Sequence, residues 1–139
     1  MKKIIFCFLT FILTAIALKI DGGATLKGGK NYEFYYKCGG AVPKVEKMAE
    51  NSVLFGVSAA KKEGESCVMT EEEFEKLLAD LRAKEVFREK GDDFDNVYYF
   101  SPFINDFVYA GGKKANIHVA KKSADGTMKV ATPINFGGY

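Results

Sequence analysis

ANIHVAKKSADGTMKVAT, residues 115–132, reads as an antiparallel hairpin. Ser123-Ala124-Asp125-Gly126 carries turn chemistry between two strand-like runs, Ala115–Lys122 and Thr127–Thr132. Setting Lys122 opposite Thr127 brings Val119 opposite Val130, Ile117 opposite Thr132 and Lys121 opposite Met128. The apolar side chains of both strands then fall largely on one face, so the turn and the hydrophobic pattern demand the same register. A sheet with one apolar face needs a cover on that face.

The cover lies upstream. Thr70 and Glu73 have capping-box spacing, and Met69 and Phe74 occupy the staple positions around them. Glu71, Glu72, Glu73 and Glu75 complement the positive end of a helix dipole; Arg82, Lys84, Arg88 and Lys90 complement the other end. Phe74, Leu77, Leu78 and Leu81 recur at i, i+3, i+4 and i+7, and Gly91 suits the position after the last turn. These signals predict an amphipathic helix over about residues 71–89.

The other segments read as strands and turns. Tyr32–Cys38 alternates, with Tyr32, Phe34, Tyr36 and Cys38 on one face and Glu33, Tyr35 and Lys37 on the other. Residues 43–52 are read as a short helix opening at Pro43, with an irregular segment as the alternative. Val53–Ala60 reads as a buried strand, Lys61–Glu65 as a turn and Ser66–Met69 as a return strand. Val97–Phe100 and Ile104–Ala110 are two more strands, separated by Ser101-Pro102 and closed by Gly111-Gly112. The fold class expected is α+β: a small antiparallel sheet of about five to seven strands with one main helix packed on one face.

The N-terminus reads as an export signal. Lys2 and Lys3 precede an uncharged, mostly apolar run from Ile4 to Leu18, 15 residues long. Spanning a bilayer takes about 20 residues, and Ala15-Ile16-Ala17 suits cleavage, so residues 1–17 are read as a signal peptide; an uncleaved anchor is the alternative. Residues 18–31 form a flexible, glycine-rich lead-in, and 32–139 a single domain. The protein is expected outside the cytoplasm, secreted or periplasmic, with membrane contact only through the signal segment.

Removing 17 of the 139 residues leaves 122, carrying 18 basic and 18 acidic side chains. This balance excludes the strong positive field of a dedicated nucleic-acid binder. Cleavage also removes Cys7. The even pair that remains, Cys38 and Cys67, reads as a disulfide in an oxidising compartment. Catalysis by Cys67 at a helix start is the alternative, but there is no Cys-x-x-Cys and the single histidine is far away in sequence.

No residues compose a catalytic site. His118 has no placed nucleophile or carboxylate beside it and reads as a surface histidine. Asp92, Asp93, Asp95 and Asn96 crowd one turn without the order of an EF-hand, so they read as a solvated acidic turn. No glycine pair belongs to a phosphate-binding fingerprint. Lys113-Lys114 and Lys121-Lys122 read as a charged sheet edge. No metal and no cofactor is expected.

The aromatics are the least ordinary feature. Tyr35, Tyr36, Tyr98, Tyr99, Phe100, Phe103, Phe107 and Tyr109 form two clusters, and a period-2 strand cannot bury both members of an adjacent pair on one face. Tyr35, Tyr98, Tyr99, Phe103 and Tyr109 are the expected contact residues, on an aromatic-rich outer sheet face that binds a protein or a glycan. The reading is a non-catalytic exported binding module, of the inhibitor, immunity, envelope-adaptor or secreted-effector kind. A small secreted hydrolase using carboxylates and His118, and an envelope structural subunit, are the alternatives.

Overall fold

A computed structural model of the chain describes residues 24–36, 44–48 and 62–133. Their elements, in order, are β1 (Lys30–Tyr36), β2 (Lys44–Met48), β3 (Lys62–Met69), α1 (Glu71–Asp80), β4 (Lys84–Lys90), β5 (Phe94–Phe100), β6 (Val108–Ala110), β7 (Lys113–Ala115), β8 (Ile117–Lys122) and β9 (Met128–Thr132). Seven of these strands form one antiparallel sheet in the order β2-β1-β3-β9-β8-β5-β4, and β6 and β7 make a separate hairpin. The fold is α+β, as the patterning requires. The signal segment, Cys38 and Val53–Ala60 lie outside the described residues.

The β8–β9 hairpin has the register its sequence demands. Val119 faces Val130, and Lys121 faces Met128. Cys67 and Met69 on β3 continue the same rows opposite Val130 and Met128. These residues, with Tyr32, Phe34, Tyr36 and Ile117, line one sheet face, and Phe74 and Leu77 of α1 close over them. Ala24 and Leu26 belong to the same core. Of the glycine-rich lead-in, residues 24–29 are irregular but anchored, and Lys30 and Asn31 already belong to β1. The Leu26 backbone N–H donates to the carboxylate of Glu65, which is fully buried on β3.

The helix start matches its sequence signal. The Glu73 N–H donates to Thr70 Oγ1 at 3.3 Å, and the Thr70 N–H donates to Glu73 Oε2 at 2.8 Å. The helix end corrects the expectation of residues 71–89, because α1 stops at Asp80 with Leu81 as its cap. Arg82 takes φ +47°, and the N–H groups of Arg82 and Ala83 return to the carbonyls of Ala79 and Leu78 at 3.1 and 2.9 Å. This is a Schellman closure with arginine where glycine is usual. The cause is visible in the stripe. Continuing it from Leu81 would require apolar residues at 84, 85 and 88, where Lys84, Glu85 and Arg88 stand. As strand β4 the segment instead sets Phe87 against Tyr98, ring centroids 5.7 Å apart.

Three further corrections concern strands. Residues 44–48 are a strand, not part of a helix; pairing with β1 satisfies the backbone groups along an edge of that buried strand. The expected turn at Lys61–Glu65 is absent from residue 62 onward, because β3 runs unbroken from Lys62 to Met69, with Gly64 opposite Tyr35. The strand expected over Ile104–Ala110 is confined to Val108–Ala110.

Candidate binding surface

Strand β5 ends at Ser101-Pro102, and a cluster of fully buried polar groups holds the segment that follows. Asn116, between β7 and β8, and Ser101 are both inaccessible to solvent. The Ser101 N–H donates to Asn116 Oδ1 at 2.7 Å, and Asn116 Nδ2 donates to the carbonyls of Ser101 at 2.7 Å and Ile104 at 3.0 Å. Ser101 Oγ donates to the Leu81 carbonyl at 2.7 Å and accepts the Phe103 N–H at 3.1 Å. One amide side chain therefore supplies the hydrogen bonds that a sheet neighbour would give, and one hydroxyl ties the segment to the end of α1.

From this clamp the chain projects three aromatic rings. Phe103, Phe107 and Tyr109 are 59, 41 and 68% exposed, while Ile104 packs against the core. Phe107 and Tyr109 meet edge to face at 5.8 Å. Each phenylalanine carries a cation: Lys114 Nζ stands 4.3 Å from the Phe107 centroid, and the Arg82 guanidinium 5.7 Å from that of Phe103. Lys113 lies exposed opposite Ala110. The β6–β7 turn is pinned to the body. Gly111 has φ +56°, and a Cβ there would come within 2.4 Å of the Phe87 ring.

The structure redistributes the expected contact residues. Tyr35 is buried, with its hydroxyl 3.1 Å from Glu33 Oε2 and 3.3 Å from Ser66 Oγ, so it is corrected to an interior residue. Tyr98 lies half-buried, stacked on His118 at 4.6 Å. Tyr99 points to the opposite face, edge-on to Phe74 at 5.5 Å, and burial raises its phenol pKa. Phe103 and Tyr109 remain in place, and Phe107 joins them. The exposed aromatics thus sit on a connecting segment and a small hairpin, not on the main sheet face. The signal that separates them is positional: all three follow the Ser101-Pro102 break.

The remaining candidates have structural settings. His118 is buried, a correction of the surface reading, because β8 is an inner strand flanked by β5 and β9. Its Nε2 lies 3.1 Å from Asn96 Oδ1, and burial pushes its pKa down to about 4, so the imidazole is neutral at pH 7. The acidic turn expected over residues 92–96 is confined to Asp92 and Asp93, because β5 begins at Phe94; Arg88 bridges Asp95 of β5 and Glu85 of β4, each at 2.9 Å. Lys121 meets Glu71 at 3.2 Å.

Cys67 is a free thiol against Gly29, and burial, then Glu65 and Glu73, push its pKa up. Its expected partner Cys38 lies outside the described residues. Alkylation with a maleimide is expected to leave native Cys67 unlabelled and to label it after unfolding without reductant. A thiol still unlabelled after unfolding would instead report the bond with Cys38.

Comparison with protein-family models, with curated proteins and with solved structures returned no match.

Proposed function

We propose that this chain is an exported, non-catalytic binding module that engages a protein or glycan through Phe103, Phe107 and Tyr109. The observation that carries the reading is the exposure of these three large aromatics within seven residues, on a segment held by buried hydrogen bonds. A clamped backbone presents the rings without the ordering cost a mobile loop would incur on binding. Aromatics next to arginine and lysine have the composition of contact hot spots. Export rests on Lys2, Lys3 and the apolar run that follows them. The hydrolase alternative draws less support, since a histidine titrating near 4 is a weak base at neutral pH.

The test is a triple substitution, Phe103→Ser with Phe107→Ser and Tyr109→Ser. Its unfolding free energy is expected to fall by no more than about 1.5 kcal/mol, about 0.5 for each partly exposed ring, so the variant stays folded. Affinity for whatever the parent chain captures from its native compartment is expected to fall by roughly 30-fold or more, the loss of one hot spot or more. Unchanged capture of the same partner by the folded triple variant would overturn the reading.

A further inference from the structure

The aromatic segment carries charge as well as rings. Lys114 faces Tyr109 across the β6–β7 pair and stands over the Phe107 ring, and Arg82 stands over Phe103. Lys113 precedes Lys114, and Lys84 lies two residues beyond Arg82, opposite Phe100; all four cations are exposed. None of them is in an ion pair among the described residues, whereas Arg88, Lys121, Lys122 and Lys129 each meet a carboxylate. Residues 80–84 and 101–115 hold these four basic side chains against two acidic ones, Asp80 and Asp106. The next acid, Glu85, is engaged by Arg88. The rings therefore sit in a positive field that the chain itself does not neutralise.

The polar groups on the two phenylalanine rings are donors only, because an ammonium and a guanidinium have no acceptor. Backbone groups of the segment are turned inward. Asn116 holds the Ser101 N–H and the carbonyls of Ser101 and Ile104, and Ser101 Oγ holds the Phe103 N–H. A sugar hydroxyl brings a donor with each acceptor, while a carboxylate brings acceptors alone. The phenyl rings ask in addition for apolar contact, which a protein supplies from the side chains between its carboxylates.

We propose that the partner of this segment is an acidic protein, whose carboxylates meet Arg82, Lys113 and Lys114 while its apolar side chains cover Phe103, Phe107 and Tyr109. The proposal rests on the aromatic reading above and adds the partner's chemistry. Two of the cations already stand over their rings in the free chain, so binding has less ordering to impose. A partner that excludes water from these rings strengthens the cation–π contacts beneath it. The uncompensated charge also steers an acidic surface towards the rings before contact.

A fluorescent, glutamate-rich random copolymer with tyrosine, read by anisotropy against the purified chain, is the probe. Saturable binding that weakens as salt is raised is expected. Polyglutamate, polygalacturonate, and vesicles of phosphatidylcholine and phosphatidylglycerol in equal parts are each expected to bind about tenfold more weakly or worse. A charge variant combines Arg82→Gly, Lys113→Gln and Lys114→Gln; glycine suits the φ of +47° at position 82. This variant and the triple aromatic variant should each lose about tenfold or more in affinity for the copolymer. Lys90→Gln with Lys122→Gln, at the other end of β5 from Ser101, should bind as the parent does. No copolymer binding by the parent, equal or tighter binding of polygalacturonate or vesicles, or binding indifferent to the charge variant would overturn the proposal. Capture of the native partner separates it from the reading beneath it. Capture that needs the rings but ignores the charge variant sinks the acidic partner and leaves the aromatic surface standing; capture that ignores the rings sinks both.

Discussion

Replacing Asn116 with alanine is expected to lower the unfolding free energy by about 3 kcal/mol, read from chemical denaturation. The side chain serves three backbone groups, the Ser101 N–H and the carbonyls of Ser101 and Ile104. Each group left buried and unsatisfied costs about 1–3 kcal/mol, and water entering the vacated space recovers part of the sum. Asn116→Asp sharpens the test. It keeps an acceptor for the Ser101 N–H but aims a carboxylate oxygen at two carbonyl oxygens. It is therefore expected to be at least as damaging as alanine despite its matching shape. Amide exchange at Ser101 and Phe103 should accelerate in both variants, because the segment bearing Phe103 loses its anchor. A loss below about 1 kcal/mol in both would show that the clamp does not hold the segment.

Acidification should destabilise the fold through His118. Its pKa in the folded chain is about 4, and its ordinary value is 6.5. Between those values the unfolded chain binds more protons than the folded one. Stability is thus fully present above about pH 6.5, falls as the pH drops towards 4, and loses nothing more from this group below 4. A shift of that size is worth about 3 kcal/mol when undiluted, and partial solvent access to this face reduces it to about 2 kcal/mol. Glu73, Glu85 and Asp125, whose pKa values are lowered by their hydrogen bonds, contribute only at lower pH. Denaturation of the parent and of His118→Gln between pH 7 and 5 isolates the histidine. The parent should show the steeper decline, and parallel curves would exclude His118 as the cause.

Local signals were legible where neighbouring residues decide the outcome. The Thr70/Glu73 box needs only four residues, and the 117–132 hairpin needs only its turn and the alternation on either side. The alternation of β1 likewise put Tyr32, Phe34 and Tyr36 on the core face. What was not legible depended on distant partners. Arg82 ends α1 in a conformation that favours glycine, so no residue type marks the stop. Lys84–Lys90 becomes a strand because Phe87 meets Tyr98 across β5. Glu65 resembles a turn residue until the Leu26 amide is seen against it, and His118 looks exposed until β5 and β9 are placed on either side of its strand.

The aromatic surface follows the same division. That the tyrosines and phenylalanines outnumber what one sheet face can bury is a statement about pattern, and it holds. Which rings remain outside was decided by the Ser101-Pro102 break and the Asn116 clamp, whose hydrogen bonds span 15 residues of chain. Pattern alone placed Tyr35 outside, where Ser66 and Glu33 receive it in the interior.

The strand order carries a consequence for how the chain reaches its folded state. β9, the last described strand, lies at the middle of the sheet, joining β3 to β8. Until it inserts, the early strands and the late ones are separate pieces with open edges and an uncovered apolar face. Pairing Glu65 with Thr132 closes a loop of more than sixty residues, a contact of the kind that makes folding slow. A ribosome must therefore release nearly the whole described chain before its sheet can close. Such a delay keeps a polypeptide threadable, the condition for passing through a membrane before it folds.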